Sequence, residues 1–343
     1  MKPPVRTALV GFGYAGWTFH APLIAACPDL RLEVVVSRQA CVVSGLWPNA
    51  RVLASFEDVL ADPSIDLVVL ATPNDLHASQ AEAALNAGKA VVVDKPFTLT
   101  AGEARRLAAL ADERGLLLSV FHNRRWDADF LTLRGLIAEG RLGPVVRFES
   151  RFNRWRPEVR DRWREGDGPG AGVWYDLGPH LIDQALCLFG RPLGVTCDLA
   201  VMRPGGRATD YAHAVLRYVD RRVILHADMV TPAADDRFIV HGTRASWLKA
   251  GLDVQEDQLK SGLTPGAESW GVDPRPGVVV DGATGARETV TGPRGDYPAY
   301  YSAVARAIRD GAPGPVPPSE AVAVMQVLEA GLLSAERRAE ILL

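Results

Sequence analysis

The sequence predicts an α/β chain of two domains: a doubly wound parallel sheet, then an α+β domain whose sheet is mostly antiparallel. Three observations carry this. The length of 343 residues suits two domains of about 150 residues each. Short Val/Leu/Ile runs alternate with helical stretches as far as Val120, the pattern of a parallel sheet covered on both faces. Beyond residue 190, strand-like runs follow one another without helices between them, the pattern of antiparallel pairing.

In the first part the runs are Val5 to Val10, Leu32 to Val36, Leu67 to Ala71, Ala90 to Val93 and Leu116 to Val120. Ser55 with Asp58 and Thr100 with Glu103 have capping-box spacing, and Gly88 and Gly115 mark helix ends. The texture changes after His122, which divides the chain into domains 1–122 and 123–343. A helix from Asp127 to Glu139 and a strand from Val145 to Phe152 lead into an Arg/Trp-rich segment, Arg151 to Arg164. A second helix runs from about Asp176 to Phe189. Strands follow over Val195 to Met202, Ala212 to Val219, Arg222 to Met229, Phe238 to His241 and Ala245 to Lys249. Residues 250–296, rich in Gly, Pro and Asp, read as a loosely structured excursion. Helices over Tyr297 to Arg309 and Ser319 to about Glu340 close the chain.

Composition removes several function classes. The hydrophobic and charged fractions, 48% and 23%, are those of a globular chain and exclude disorder. A net charge of −3 offers no footprint for nucleic acid. Cys27, Cys41, Cys187 and Cys197 form no CxxC pair and no cluster at metal-ligand spacing, so the expectation is reduced, mostly buried thiols and no metal. No stretch approaches the roughly 18 apolar residues of a membrane span, which points to the cytoplasm. Of 38 basic residues only five are lysines, so each lysine stands out.

Gly11-Phe12-Gly13-Tyr14-Ala15-Gly16 follows the first strand and opens a helix, the context in which GxGxxG binds a dinucleotide. Gly11 permits the tight turn, Gly13 lets the backbone approach the pyrophosphate, and Gly16 allows close packing. An acid about 20 residues on would bind the 2′-hydroxyl of NAD. Here the second strand ends Val36-Ser37-Arg38, and Glu33 sits too early, inside the strand. A hydroxyl and a guanidinium suit a 2′-phosphate, so the expected cofactor is NADP rather than NAD; the alternative is that Arg38 is a solvated turn residue.

Thr72-Pro73-Asn74 with His77, and Asp94-Lys95-Pro96, fall at the carboxyl ends of parallel strands, the edge where open α/β sheets bind ligands. Lys95 is thus a candidate active-site cation. Asp176 and His180 lie four residues apart on one helical face, and Pro179 places Asp176 at or next to the N-cap. Two readings stand: an N-cap with a packing histidine, or a general base, His180, with Asp176 orienting it or the substrate. The Arg151 to Arg164 segment suits a carbohydrate, through Trp155, Arg156, Trp163 and Tyr175, or salt bridges within an oligomer interface.

Together, Gly11 to Gly16, Thr72-Pro73-Asn74 with His77, Asp94-Lys95-Pro96, and Tyr175 to Asp183 resemble the glucose–fructose oxidoreductase/inositol dehydrogenase/MocA family of NAD(P)-dependent oxidoreductases, over nearly the whole chain. His122 to Asp127, Asn153 to Arg160, Arg162 to Glu165 and Gln255-Glu256-Asp257 are similar to its NADP-dependent scyllo-inositol 2-dehydrogenase branch. The resemblance implies a Rossmann domain, and a C-terminal domain whose open sheet forms a dimer or tetramer interface. It also implies cofactor contacts from Phe12, Tyr14, Thr72, Pro73, Asn74, His77, Lys95 and Asn123, and a catalytic set of Lys95, Asp176 and His180. The implied reaction moves a hydride between a cyclitol or sugar hydroxyl and the nicotinamide. The alternatives are another sugar as substrate, or a non-catalytic NADP sensor. Asp94 departs from the family's usual Glu.

Overall fold

A computed structural model describes residues 2–233 and 236–343. The chain forms two compact units that do not follow a single cut in the sequence. The first gathers Met1–Trp126, Gln255–Trp270 and Asp296–Val322; the second gathers Asp127–Val254, Gly271–Gly295 and Ala323–Leu343.

The first unit is built on a six-stranded parallel sheet of β1 (Val5–Val10), β2 (Leu30–Val36), β3 (Arg51–Leu53), β4 (Leu67–Leu70), β5 (Ala90–Val93) and β6 (Leu118–Val120), in the order β3-β2-β1-β4-β5-β6. Its helices are α1 (Ala21–Ala26), α2 (Ala40–Leu46), α3 (Phe56–Ala61), α4 (His77–Asn86) and α5 (Ala101–Arg114). Every residue of β4 and β5 is buried, as strands covered on both faces must be. Chain order reverses between β1 and β4, and the carboxyl ends of those strands are where such sheets take ligands. β3 was not expected: three residues, none fully buried, leave no pattern to read. Thr100 and Glu103 form the full reciprocal box before α5, and Gly115 ends that helix at φ 63°. Ser55 caps α3 differently from its spacing, accepting from Glu57 N at 3.1 Å rather than from Asp58. Lys89 is buried and donates to the carbonyls of Asp62 (2.6 Å) and Ile65 (2.9 Å), tying the start of β5 to the loop before β4.

The second unit holds α6 (Ala128–Ala138), β7 (Val145–Asn153), α7 (Val173–Phe189), β8 (Gly194–Ala200), β9 (Tyr211–Arg217), β10 (Arg222–Asp228), β11 (Asp236–Gly242) and β12 (Ala245–Ala250). The stretch 250–296 is more ordered than expected. It supplies α8 (Gln255–Lys260) to the first unit and β13 (Gly277–Asp281) and β14 (Arg287–Val290) to this sheet. α9 (Pro298–Asp310), α10 (Pro318–Arg337) and a final short strand, β15 (Ile341–Leu342), end the chain. The sheet order is β14-β13-β12-β11-β7-β10-β9-β8-β15, antiparallel except for the β7–β10 pair. Of the cysteines, Cys27 and Cys197 are buried, but Cys41 and Cys187 are exposed on helices.

α7 packs on β7, β9 and β10 and begins earlier than Pro179 suggested. Its N-cap is Gly172 (φ 91°), so Asp176 lies in the first turn and Pro179 within the helix. An internal proline costs about 3 kcal/mol. Val173, Trp174, Leu177, Leu181, Ile182 and Ala185 are buried by this helix, and at about 2 kcal/mol for a large apolar side chain their burial outweighs it. Trp174 Nε1 donates to Leu328 O at 3.0 Å, joining α7 to α10.

α6 carries a buried carboxylate, Asp129, whose Oδ1 accepts from Phe130 N at 2.7 Å while Oδ2 has no partner among the described residues. Burial pushes it up to about 6; Arg237 and Lys249 oppose the rise and Asp253 adds to it. The folded protein therefore takes this proton more readily than the unfolded chain, whose carboxyl titrates near 3.9. Stability contributed by the protonated acid is present below about 4 and lost as pH rises through 6. Asp129→Asn is expected to exceed the parent in stability by about 2 kcal/mol at pH 8, the difference vanishing near pH 4. Urea unfolding at the two pH values measures this.

Candidate active site

The glycine turn shows which of its glycines the fold itself requires. A Cβ on Gly11 (φ 95°) would lie 2.6 Å from Ala71 O, and one on Gly16 would lie 2.2 Å from Gly11 O. Gly13 is exposed and a Cβ there would meet nothing within 4 Å. Packing thus accounts for Gly11 and Gly16 but not for Gly13. An open backbone at the start of the helical segment is a cradle that fits a pyrophosphate. Phe12 beside it is buried. Tyr14 is half exposed, and its hydroxyl donates to Glu256 Oε1 on α8 at 2.7 Å. Burial raises Tyr14 to about 12, helped by Glu256. Burial would also raise Glu256, but Arg124 (2.9 Å), the Tyr14 hydroxyl and Lys260 (3.0 Å) hold it near 2. A segment read as loose thereby braces the turn.

At the end of β2, Ser37 Oγ accepts from Gln39 N at 3.0 Å and Arg38 is exposed. Glu33, the acid within β2, faces Arg31 (3.0 Å), Arg6 (3.2 Å) and Arg51 (3.9 Å), so it is engaged elsewhere. After β4, Thr72 Oγ1 donates to Gln80 at 2.7 Å, Pro73 is exposed and Asn74 is buried. His77 is buried, with Nδ1 2.7 Å from Pro96 O and Nε2 3.0 Å from Thr72 O. It joins the turn after β4 to the turn after β5, so it serves the site by holding those turns. Lys95 is partly exposed and its backbone N–H donates to Asp94 Oδ1 at 2.8 Å. Asn123, just beyond β6, is buried.

In the second unit Asp176 is partly exposed, its Oδ1 3.7 Å from Arg164 Nε, and its backbone N–H bonds Gly172 O. His180, one turn on, is buried with its ring stacked on Phe152 at 6.4 Å. Tyr175 is partly exposed beside them, and Trp155 and Trp163 are exposed. The Arg164 guanidinium lies over the Trp163 ring at 4.4 Å. Burial lowers Arg156 to about 10, and Arg154, Arg162 and Arg160 add to the effect.

Arg203 organises this loop and was not singled out in the sequence. Buried, it donates to Asp210 Oδ2 (2.9 Å) and to the carbonyls of Arg156 (3.0 Å) and Glu158 (3.1 Å), and it pairs with Glu165 at 3.1 Å. Glu165 in turn accepts from Arg162 Nε (2.6 Å) and Arg160 N (3.0 Å). These partners lie 38 to 47 residues from Arg203 along the chain, apart from Asp210, so no local pattern could reveal them.

Gly13→Ala is expected to leave unfolding free energy within about 0.5 kcal/mol of the parent while weakening dinucleotide binding at least tenfold. Gly16→Ala should destabilise the fold by several kcal/mol. Denaturation and cofactor-fluorescence titration separate the two.

Two family models match: residues 5–122 fit the oxidoreductase family's NAD-binding Rossmann fold, and residues 134–343 its C-terminal alpha/beta domain. The Escherichia coli uncharacterized oxidoreductase YdgJ is 53% identical over the whole of both chains. The Bacillus subtilis scyllo-inositol 2-dehydrogenase (NADP(+)) IolW is 38% identical, over 99% of this chain and 96% of its own. Among solved structures, Bacillus subtilis yvaA superimposes with a TM-score of 0.97 at 38% identity, covering 99% of both chains. A Bacillus cereus oxidoreductase gives 0.90 at 30% identity, covering 99% of this chain and 98% of its own. With both halves matched and relatives of full length, the chain belongs to the Gfo/Idh/MocA oxidoreductase family.

Proposed function

We propose that the protein is an NADP-dependent dehydrogenase moving a hydride between a cyclitol or sugar hydroxyl and the nicotinamide. The cofactor preference rests on one observation: β2 ends in Ser37 and an exposed Arg38, with its nearest acid, Glu33, surrounded by three arginines. Arg38 can then offer forked donors to a 2′-phosphate. The scyllo-inositol-like substrate rests on the relative named for that reaction and on the Trp155–Trp163 segment, whose flat apolar faces and guanidinium donors suit a ring bearing hydroxyls. The four cysteines are free thiols, which fits a reducing cytoplasm.

In the reaction, the Gly11–Gly16 turn holds the pyrophosphate, Ser37 and Arg38 the adenosine ribose, and Thr72, Pro73, Asn74 and Asn123 line the strand ends beyond it. The nicotinamide, when bound, supplies or accepts the hydride. His180 takes the proton from the substrate hydroxyl oxygen, and Asp176 orients the substrate or the imidazole. The Lys95 ammonium stabilises charge developing on that oxygen. In the reverse direction the same groups return the proton to a carbonyl.

A second reading of the substrate is favoured by Arg156. Its partly buried guanidinium finds no hydrogen-bonding partner among the described residues and is crowded by three other arginines. A sugar carrying a carboxylate would satisfy it.

The exposed face of the nine-stranded sheet is the proposed dimer or tetramer interface. Val215, Ile224, Glu149, Ile239, Leu248 and Val278 stand in cross-strand register there, each half-buried.

Arg38→Ala should raise KM for NADP at least tenfold with little change for NAD; equal use of the two by the parent would overturn the NADP assignment. His180→Ala should cut kcat by a factor of a hundred or more while NADPH still binds, assayed on inositols, aldoses, uronates and their keto forms. Unchanged turnover would remove His180 from the mechanism, and turnover of none of these compounds would favour a sensor. Light scattering of the parent should give a dimer or tetramer, and Ile224→Arg a smaller species. A monomeric parent would rule the interface out.

A further inference from the structure

Beneath the Asp94-Lys95-Pro96 turn lies a line of buried polar groups that the reaction above does not use. His20 ends the wide π-helical turn Gly16–His20 ahead of α1 and is fully buried. Its Nδ1 is 2.6 Å from the Tyr301 hydroxyl on α9, and its Nε2 faces Asp94 Oδ1 at 3.8 Å. Asp94 Oδ1 in turn accepts the Lys95 backbone N–H at 2.8 Å. The Phe121 ring, 4.5 Å from the imidazole, and Tyr300, 5.0 Å from Phe121, wall the line off.

Proton positions follow from this geometry. Burial holds the Tyr301 phenol well above its ordinary range, with Tyr300, Asp94 and Cys27 adding to it, so Tyr301 keeps its proton and donates. Nδ1 is then the acceptor, and a neutral imidazole carries its hydrogen on Nε2, the atom facing Asp94. At 3.8 Å this contact is longer than a hydrogen bond and acts through the N–H dipole, which little water screens. Asp94 also faces Lys95 and, from α4, His77. Burial would raise its carboxyl, but His20 first, then Lys95 and His77, hold it down near 2.

We propose that His20 is a positioning residue for Lys95: locked by Tyr301 in the Nε2–H tautomer, it keeps Asp94 ionised and turned toward the lysine it anchors. This rests on the catalytic assignment of Lys95.

Two measurements, one independent of activity, test it. In protein labelled with ¹⁵N-histidine, the neutral imidazole of His20 should show an unprotonated Nδ1 and a protonated Nε2, and Tyr301→Phe should destroy that bias. His20→Phe keeps a ring in the cavity but offers no N–H. It should lower kcat tenfold or more and move the acid limb of the pH–kcat profile upward as Asp94 becomes easier to protonate. KM and NADPH affinity should stay within about threefold. A Nδ1–H tautomer in the parent, or His20→Phe with the parental kcat and pH profile, overturns the proposal. Lys95→Met with unchanged turnover would instead overturn the role of Lys95 itself, and a correct tautomer in that case would show that the pair only supports the fold.

Discussion

The site depends on how closely the Gly11 turn approaches the end of β4. The Gly11 backbone packs against Ala71 O so tightly that no Cβ fits, and the Ala71 N–H is bonded to Val10 O at 2.8 Å. That contact sets the helical segment beginning near Gly16 directly over the ends of β1 and β4. It leaves Gly13 as the one glycine of the motif whose backbone faces open space. His77, Tyr14 and Glu256 then hold the neighbouring turns and α8 around it.

Buried charge is handled by distributing partners rather than by simple pairs. Arg203 meets two carboxylates and two carbonyls, and Glu256 meets a guanidinium, an ammonium and a phenol. A buried ion left with one partner would be destabilising, whereas these are satisfied on several sides. The scarcity of lysine has a structural side as well. Lys89 and Lys249 are buried, each donating to backbone carbonyls, and Lys249 also pairs with Asp273 at 2.8 Å. The compact ammonium, with three rotatable donors, fits such narrow sites better than a planar guanidinium.

The parallel half of the fold was legible because its signals are local: continuous apolar strands, the Thr100–Glu103 box, and glycines at the turn and helix ends. What was hidden was non-local or short. β3 has three residues, and β13 and β14 lie in a stretch rich in Gly and Pro whose pairing only the sheet supplies. The start of α7 was misjudged because a proline inside a helix is normally prohibitive, and only the burial of that helix on the sheet reverses the balance. In the site, Arg38 and Lys95 could be read from their places at strand ends. His20, Tyr301 and Arg203 could not, since His20 and Tyr301 are 281 residues apart and the partners of Arg203 lie up to 47 residues away in the chain.

By itself, then, the sequence determined the Rossmann half, the dinucleotide turn, the family and the candidate residues, because each is written in residue types at short fixed spacing. Tertiary structure alone decided which glycine is free to meet a ligand, which histidines are committed to the scaffold, and which buried arginine orders the Arg/Trp loop. Those properties come from burial and from contacts between residues far apart in the chain, and neither has a local signature.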